Sequence, residues 1–301
     1  MKDNQKVSVI ITTYKRKFEE IKISLESVLK QTYRNIEIII VDDNGKGTEL
    51  QCEIEEKINK YESPFLIKYI INENNYGAQV SRNKGILNST GEYLAFLDDD
   101  DKWENEKIEL QIKEFKDENV GLVFSQGWLI NINDSKKKPY NMSKCFINRV
   151  DSNDMLYGDY IGTTSQVVIK REVFAQVGLF DVNQPARQDY EMWIRISLKY
   201  KCIGVKKYLF SHYIHSGEQI SKNPIKSAIG MENIYKKYRK KMSKTSKWHI
   251  LLLTAKAYSK TSKKLTFFNY LVKSAIYLIL ALFFDNKNLI KRIKIHKERI
   301  K

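Results

Sequence analysis

Apolar positions along the first half of the chain fall into short blocks whose period alternates. Val7-Ser8-Val9-Ile10-Ile11, Ile36 to Val41, Leu66 to Ile71, Tyr93 to Leu97 and Val120 to Phe124 are apolar runs of strand length, rich in β-branched and aromatic residues. Between them the apolar residues recur at helical spacing. Phe18, Ile21, Leu25, Val28 and Leu29 form one such stripe over Phe18 to Lys30. Thr48 to Asn59 is a second predicted helix with Thr48 as its N-cap, and Asn74-Asn75-Tyr76-Gly77-Ala78 opens a third that runs through Asn88. Glu104 to Phe115 is a fourth. Strands alternating with helices predict an α/β fold with a mainly parallel, doubly wound sheet flanked by helices.

The second half is less regular. Residues 125–160 show no clear period, and such a stretch serves equally as an acceptor loop or as a meander over the sheet. Ile161 to Ile169 reads as a strand, Arg171 to Val177 as a short helix closed by Gly178, and Tyr190 onward as an amphipathic helix. Leu209 to His215 is a last strand. From Ile225 the pattern is wholly helical, with segments Met231 to Met242, Trp248 to Tyr258, Leu265 to Phe284 and Asn286 to Lys301. The chain thus divides into an α/β domain, 1–221, and a C-terminal helical extension, 222–301.

Charge sharpens that division. The formal net charge is +16. From Lys222 onward there are 21 Lys and Arg against three acids, whereas the first 221 residues are close to neutral. A basic segment of this kind seeks an anionic partner. Zinc-ligand spacing and RNP-like motifs are missing from it, and its apolar run favours lipid over a phosphate backbone, so nucleic acid is not the expected partner. Cys52, Cys145 and Cys202 are far apart and form no CxxC pair, as in a cytosolic protein with reduced thiols. The apolar run after the first six residues is too short for the core of a signal peptide.

The chemistry is concentrated at strand ends. Tyr93 to Leu97 terminates in Asp98-Asp99-Asp100-Asp101, whose mutual repulsion a divalent cation would relieve. Thr12-Thr13-Tyr14 ends the first strand and Asp42-Asp43 the second. In a doubly wound sheet ligands bind beyond the carboxyl ends of the strands, so three polar clusters on that edge predict one site. Asp189 stands at the start of the helix that follows Arg187-Gln188, where free N–H groups and the helix dipole stabilise a carboxylate.

Val9-Ile10-Ile11-Thr12-Thr13-Tyr14-Lys15-Arg16, Val41-Asp42-Asp43-Asn44, Asn75-x-Gly77-x4-Arg82-Asn83-x-Gly85, Phe96-Leu97-Asp98-Asp99-Asp100-Asp101-x-Trp103 and Gln188-Asp189-Tyr190-x-x-Trp193 resemble, in order, the motifs of the family 2 glycosyltransferases, which use the GT-A fold. The resemblance spans roughly residues 7 to 221 and implies an inverting transfer of a sugar from a UDP-sugar to a hydroxyl of a saccharide. By it, Thr12, Thr13 and Tyr14 line the nucleotide-sugar cleft, and Asp42 or Asp43 meets the base. Arg82 lies near the base or phosphates, Asp98 or Asp99 near the ribose. Asp100 ligates Mn²⁺ or Mg²⁺, while Asp101 positions the turn. Asp189 is the catalytic base, with Gln188 where the family has a glutamate. His212 and His215 both lie on the last strand; the resemblance selects His215 as a metal or diphosphate ligand and leaves His212 structural.

The tail extends the expectation to partners. Leu265 to Phe284 is long enough to span a bilayer, yet Asn269, Lys273 and Ser274 interrupt it and its apolar spacing gives a face. Basic flanks favour docking on an anionic membrane, with a soluble helical hairpin and a true span as alternatives. A membrane-facing tail suits a lipid-linked oligosaccharide acceptor and a location in the cytoplasm at the inner face of the cell membrane. A sugar-nucleotide nucleotidyltransferase is a competing reading, but Thr12-Thr13-Tyr14-Lys15-Arg16 lacks the glycine-rich loop it would need.

Overall fold

The structure, a computed structural model, describes residues 5–131, 136–140, 147–214 and 223–300. In chain order the elements are β1 (Val7–Thr13), α1 (Phe18–Leu29), β2 (Ile36–Asp42), α2 (Glu49–Asn59), β3 (Leu66–Ile71), α3 (Ala78–Asn88), β4 (Tyr93–Asp98), β5 (Asp101–Trp103), α4 (Lys107–Ile112) and β6 (Val120–Asn131). There follow β7 (Lys137–Pro139), β8 (Arg149–Val150), α5 (Ser152–Tyr157), β9 (Val167–Lys170), α6 (Arg171–Val177), α7 (Gln188–Ser197) and β10 (Lys201–Ile214). Four helices end the chain: α8 (Pro224–Tyr238), α9 (Lys244–Tyr258), α10 (Lys264–Phe284) and α11 (Asn286–Ile300). Contacts divide the chain into two compact units.

The first unit comprises the described residues of Met1–Tyr140, Thr163–Phe180 and Lys199–His215. Its sheet runs in the order β3-β2-β1-β4-β9-β6-β10-β5, with β7 beside β6. β1 lies parallel between β2 and β4, and β3 is parallel to β2. β9 is antiparallel to both β4 and β6, so the sheet is mixed rather than wholly parallel. β1 and β2 read as continuous apolar runs because nearly all of their residues are buried, as in parallel strands covered on both faces. α1 lays Phe18, Ile21, Leu25 and Val28 onto this core. α3 approaches β1 so closely that a Cβ on Gly85 would lie 2.5 Å from the Ile10 side chain, which accounts for the glycine there.

Most predicted elements are present, and the departures have local causes. The Thr48 hydroxyl accepts from Gln51 N–H at 3.3 Å and caps α2 as expected. The helix expected over Glu104 to Phe115 is shortened to α4. The strand expected over Ile161 to Ile169 is only β9, because Thr163 and Gln166 form a reciprocal capping box that closes a turn first. The irregular 125–160 region contains the continuation of β6 to Asn131, and also β7, β8 and α5. β5 was not foreseen; it is three residues long and antiparallel to β10.

The second unit comprises the described residues of Asn141–Gly162, Asp181–Leu198 and Ser216–Lys301. α7 is its centre. The Tyr190 hydroxyl donates to Met155 C=O and Trp193 Nε1–H to Gly162 C=O, each at 2.7 Å, pinning α7 to the α5 segment. Glu191 is 1% exposed and accepts from Arg195, Lys237 and the Tyr238 hydroxyl, which joins α7 to α8. Ala228, Leu251, Ala255, Tyr258 and Tyr270 form the apolar contact among α8, α9 and α10.

One buried carboxylate ties the amino ends of the central strands together. Glu37 on β2 accepts from the Ser8 hydroxyl, from Thr90 N–H and its hydroxyl, and from Gly91 N–H, with Lys6 at 3.4 Å. Burial opposes its ionisation, but these donors outweigh burial and hold its pKa at about 2. A depressed carboxylate pKa contributes stability above its unfolded value that is lost as pH falls toward the folded one. Glu37→Gln is expected to cost about 1–3 kcal/mol at neutral pH. In urea titrations the gap between variant and wild type should close as the pH is lowered from 4.5 toward 2.

Candidate active site

The strand register brings the predicted clusters to one edge of the first unit. Thr12 pairs with Asp98 on one side and Val41 on the other, and Thr13 pairs with Asp42. At the end of β2, Asp42 is fully buried; its Oδ1 accepts from Asn44 N–H at 2.8 Å and its Oδ2 from the Tyr69 hydroxyl at 2.5 Å. Asp43 is 3% exposed. It accepts from Asn72 Nδ2 and from the backbone N–H groups of Tyr76 and Gly77, all within 2.9 Å. Asp43 therefore shapes the loop that opens α3, where Gly77 takes a left-handed φ of 91°. Tyr14 is exposed at the same edge.

The four aspartates are compensated from three sides. Arg82, on α3, places Nη2 2.7 Å from Asp98 Oδ1, and the hydroxyls of Thr164 and Thr163 also donate to Asp98. Burial opposes ionisation of Asp98, but the Arg82 guanidinium holds it below the usual carboxylate range. Arg16 reaches Asp99 at 3.6 Å and Asp100 at 3.0 Å. It follows Lys15, a non-glycine residue at φ 55° whose N–H donates to Asn44 Oδ1. Asp99 is pushed up to about 7, by burial first and then by the Asp100 charge.

Asp101 departs from its expected role as a turn residue. It begins β5, is fully buried, and bonds His212 Nδ1 at 2.7 Å across the β5–β10 pairing. Burial pushes Asp101 up to about 6; although burial lowers His212, the neighbouring carboxylate raises it to about 9. Asp101 Oδ2 is buried with no partner among the described residues. Ligand atoms of Asp100, Asp101 and His212 all lie within 4.8 Å of one another. Two carboxylates and an imidazole, with a buried oxygen left over, fit a divalent cation of the Mg²⁺ or Mn²⁺ class. His212, expected to be structural, is thus the histidine brought to the aspartates. His215, expected on the metal, lies outside the described residues. The pairing of β5 with β10 is the signal that identifies His212, and a three-residue strand carries no period by which to see it.

In the second unit, α7 begins at Gln188, and Arg187 occupies the N-cap in the left-handed region at φ 59°. Asp189 is therefore inside the first turn rather than capping it, with Oδ1 accepting from Tyr190 N–H at 2.7 Å. Asp159, which the sequence reading passed over, accepts from Ile161 and Gly162 N–H. Burial pushes it up to about 7, and the charge of Asp189 adds to the shift.

A mixed, mainly parallel sheet flanked by helices, with acidic residues at the carboxyl ends of its central strands, is an α/β architecture of the GT-A type. The mannosyltransferase PcManGT from Pyrobaculum calidifontis, solved with GDP-Man and Mn²⁺, shares this fold: TM-score 0.64, 17% identity, covering 99% of this chain and 85% of that one. Residues 8–178 match the model of Glycosyl transferase family 2, and the chain belongs to that family. An uncharacterized glycosyltransferase of Rickettsia felis is 33% identical over 232 residues, 76% of this chain; the chain spans only 36% of that relative's length. The Escherichia coli UDP-Glc:α-D-GlcNAc-diphosphoundecaprenol β-1,3-glucosyltransferase WfaP is 31% identical over 239 residues, covering 76% of this chain and 85% of WfaP.

The Arg82–Asp98 pair carries a stability prediction. Arg82→Ala leaves Asp98 half-buried without its cation and is expected to cost about 3 kcal/mol. Adding Asp98→Ala should recover more than about 1 kcal/mol of that loss. Urea unfolding of the two single variants and the double variant measures the coupling.

Proposed function

We propose that the chain is an inverting, divalent-metal-dependent glycosyltransferase. It moves a hexose from a UDP-sugar to a hydroxyl of a saccharide acceptor linked to a lipid diphosphate, at the cytoplasmic face of the cell membrane. The observation that carries the reading is the acidic end of β4 and start of β5, where Asp100, Asp101 and His212 converge beside a buried carboxylate oxygen with no donor among the described residues. WfaP supports a UDP-sugar donor and a polyprenyl-diphosphate acceptor, and the Mn²⁺ bound to PcManGT supports the metal.

In this reading Thr12, Thr13, Tyr14, Asp42 and Asp43 form the base and ribose end of the cleft. Asp43 fixes the Tyr76–Gly77 backbone there. Arg82 and Asp98 act as a pair at the sugar–phosphate side, with Asp99 next to them. Asp100, Asp101 and His212 would hold Mn²⁺ or Mg²⁺, as would His215. A cation held by these residues would supply positive charge to offset that developing on the departing diphosphate.

The protein's own acid–base step falls to Asp189. The acceptor hydroxyl gives its proton to the Asp189 carboxylate while its oxygen forms a bond to the anomeric carbon. The bond from that carbon to the diphosphate oxygen breaks on the opposite face, and UDP leaves with the electron pair. Asp159, raised first by burial and then by the Asp189 charge, is the second carboxylate at this end of α7. A GDP-sugar donor is the second reading, favoured by the GDP-Man in PcManGT.

Asp189→Asn is expected to lower transfer by about 10³-fold while leaving calorimetric UDP–Mn²⁺ affinity within about twofold of wild type. Turnover equal to wild type in this variant would remove Asp189 from the base role.

A further inference from the structure

Within the second unit, α10 has two unlike faces. Tyr270, Ser274 and Ala281 are buried. Tyr270 stacks on Tyr258 with ring centroids 5.7 Å apart, and the Ser274 hydroxyl donates to Trp248 C=O at 3.2 Å, so this stripe is seated on α9. The other face presents Leu265, Phe268, Val272, Ile276, Ile279 and Phe283, each more than half exposed. Spaced three or four apart, they make a continuous apolar stripe along the helix. Single exposed apolar residues need no explanation, whereas a contiguous stripe of this length marks an interaction surface.

Charge identifies what covers it. Lys264 and Lys273 stand exposed on α10, and Lys287 and Lys291 on α11. Little negative charge answers them. Glu232 is engaged by the Tyr258 hydroxyl and Lys236, and Asp285 accepts from Thr245 N–H. A second copy would bring the same lysines face to face, which like charges oppose. An anionic lipid surface meets both the apolar stripe and its basic border.

The neighbours of α10 also decide its orientation. Lys244 and Lys247 of α9 hold their ammonium groups 5.9 and 5.4 Å from the ring centroid of Tyr277, near the middle of α10. Lys273 lies over Tyr270 at 5.5 Å. At 21 residues the helix is long enough to cross a bilayer, but a crossing would carry these charges to the hydrocarbon centre. Lying flat, the helix sinks its outer face about 5–10 Å into the head-group boundary and leaves the α9 lysines on the wet side.

We infer that the outer face of α10 is a docking surface for an anionic bilayer, occupied with the helix parallel to the membrane plane. The inference concerns the tail alone and stands apart from the sugar chemistry, which donor turnover in detergent reports separately.

The test is co-sedimentation of the full chain with phosphatidylcholine vesicles, with and without phosphatidylglycerol. Binding should be at least about tenfold tighter with phosphatidylglycerol and should weaken as salt is raised. Ile276→Glu should lower it about tenfold or more, with an unchanged circular-dichroism spectrum. Lys287→Glu with Lys291→Glu should lower binding to the anionic vesicles alone. Equal binding to both vesicle types, wild-type binding by Ile276→Glu, or a dimer that Ile276→Glu dissolves without any vesicle binding would each overturn the proposal.

Discussion

Everything at the carboxyl edge of the sheet depends on how four adjacent aspartates are held. Asp98 is neutralised by Arg82 from α3, and Asp99 and Asp100 share Arg16 from the loop after β1. Asp101 is buried against His212 from β10. Three separate elements thus converge on one acidic turn and offset the mutual repulsion of its carboxylates. The compensation is incomplete: Asp101 Oδ2 is buried without a donor among the described residues, next to Asp100 and His212. A fold built only for stability would satisfy that oxygen, and in the proposed function a divalent cation would take up the remaining capacity.

Much of this was readable before any coordinates. β1, β2, β3 and β4 follow from their apolar runs to within two residues, because each is bounded by polar or turn-forming residues. Gly85 sits in a recognisable motif, and its reason appears only in three dimensions, as the close approach of α3 to Ile10. β5 was invisible because Asp101-Lys102-Trp103 has no period of its own; its partner β10 makes it a strand. The role of His212 was hidden for the same cause. Strand alternation separates His212 from a neighbour of opposite parity but does not say which face meets the aspartates.

The second unit revises the notion of a tail as an appendage. Glu191, two residues after Asp189, is sealed from solvent by Arg195 on its own helix and by Lys237 and Tyr238 on α8. Gln184 bonds Gly230 C=O, and a Cβ on Gly230 would press within 2.4 Å of Ala186 C=O. The helix that bears Asp189 is therefore built into the same compact unit as the basic helices. A polar cluster this completely satisfied fixes the register of α7 against α8. The position of Asp189 on α7 and the packing of α8 are consequently linked through one set of hydrogen bonds.

The central claim, metal-dependent transfer from a UDP-sugar, is tested most directly by presenting the full chain with UDP-, GDP- and other nucleotide-activated hexoses and a polyprenyl-diphosphate saccharide, and measuring the nucleotide released. The account predicts UDP release from one donor that requires Mn²⁺ or Mg²⁺ and stops on chelation. Release of GDP instead, or UDP release that is unchanged by chelation, would contradict it.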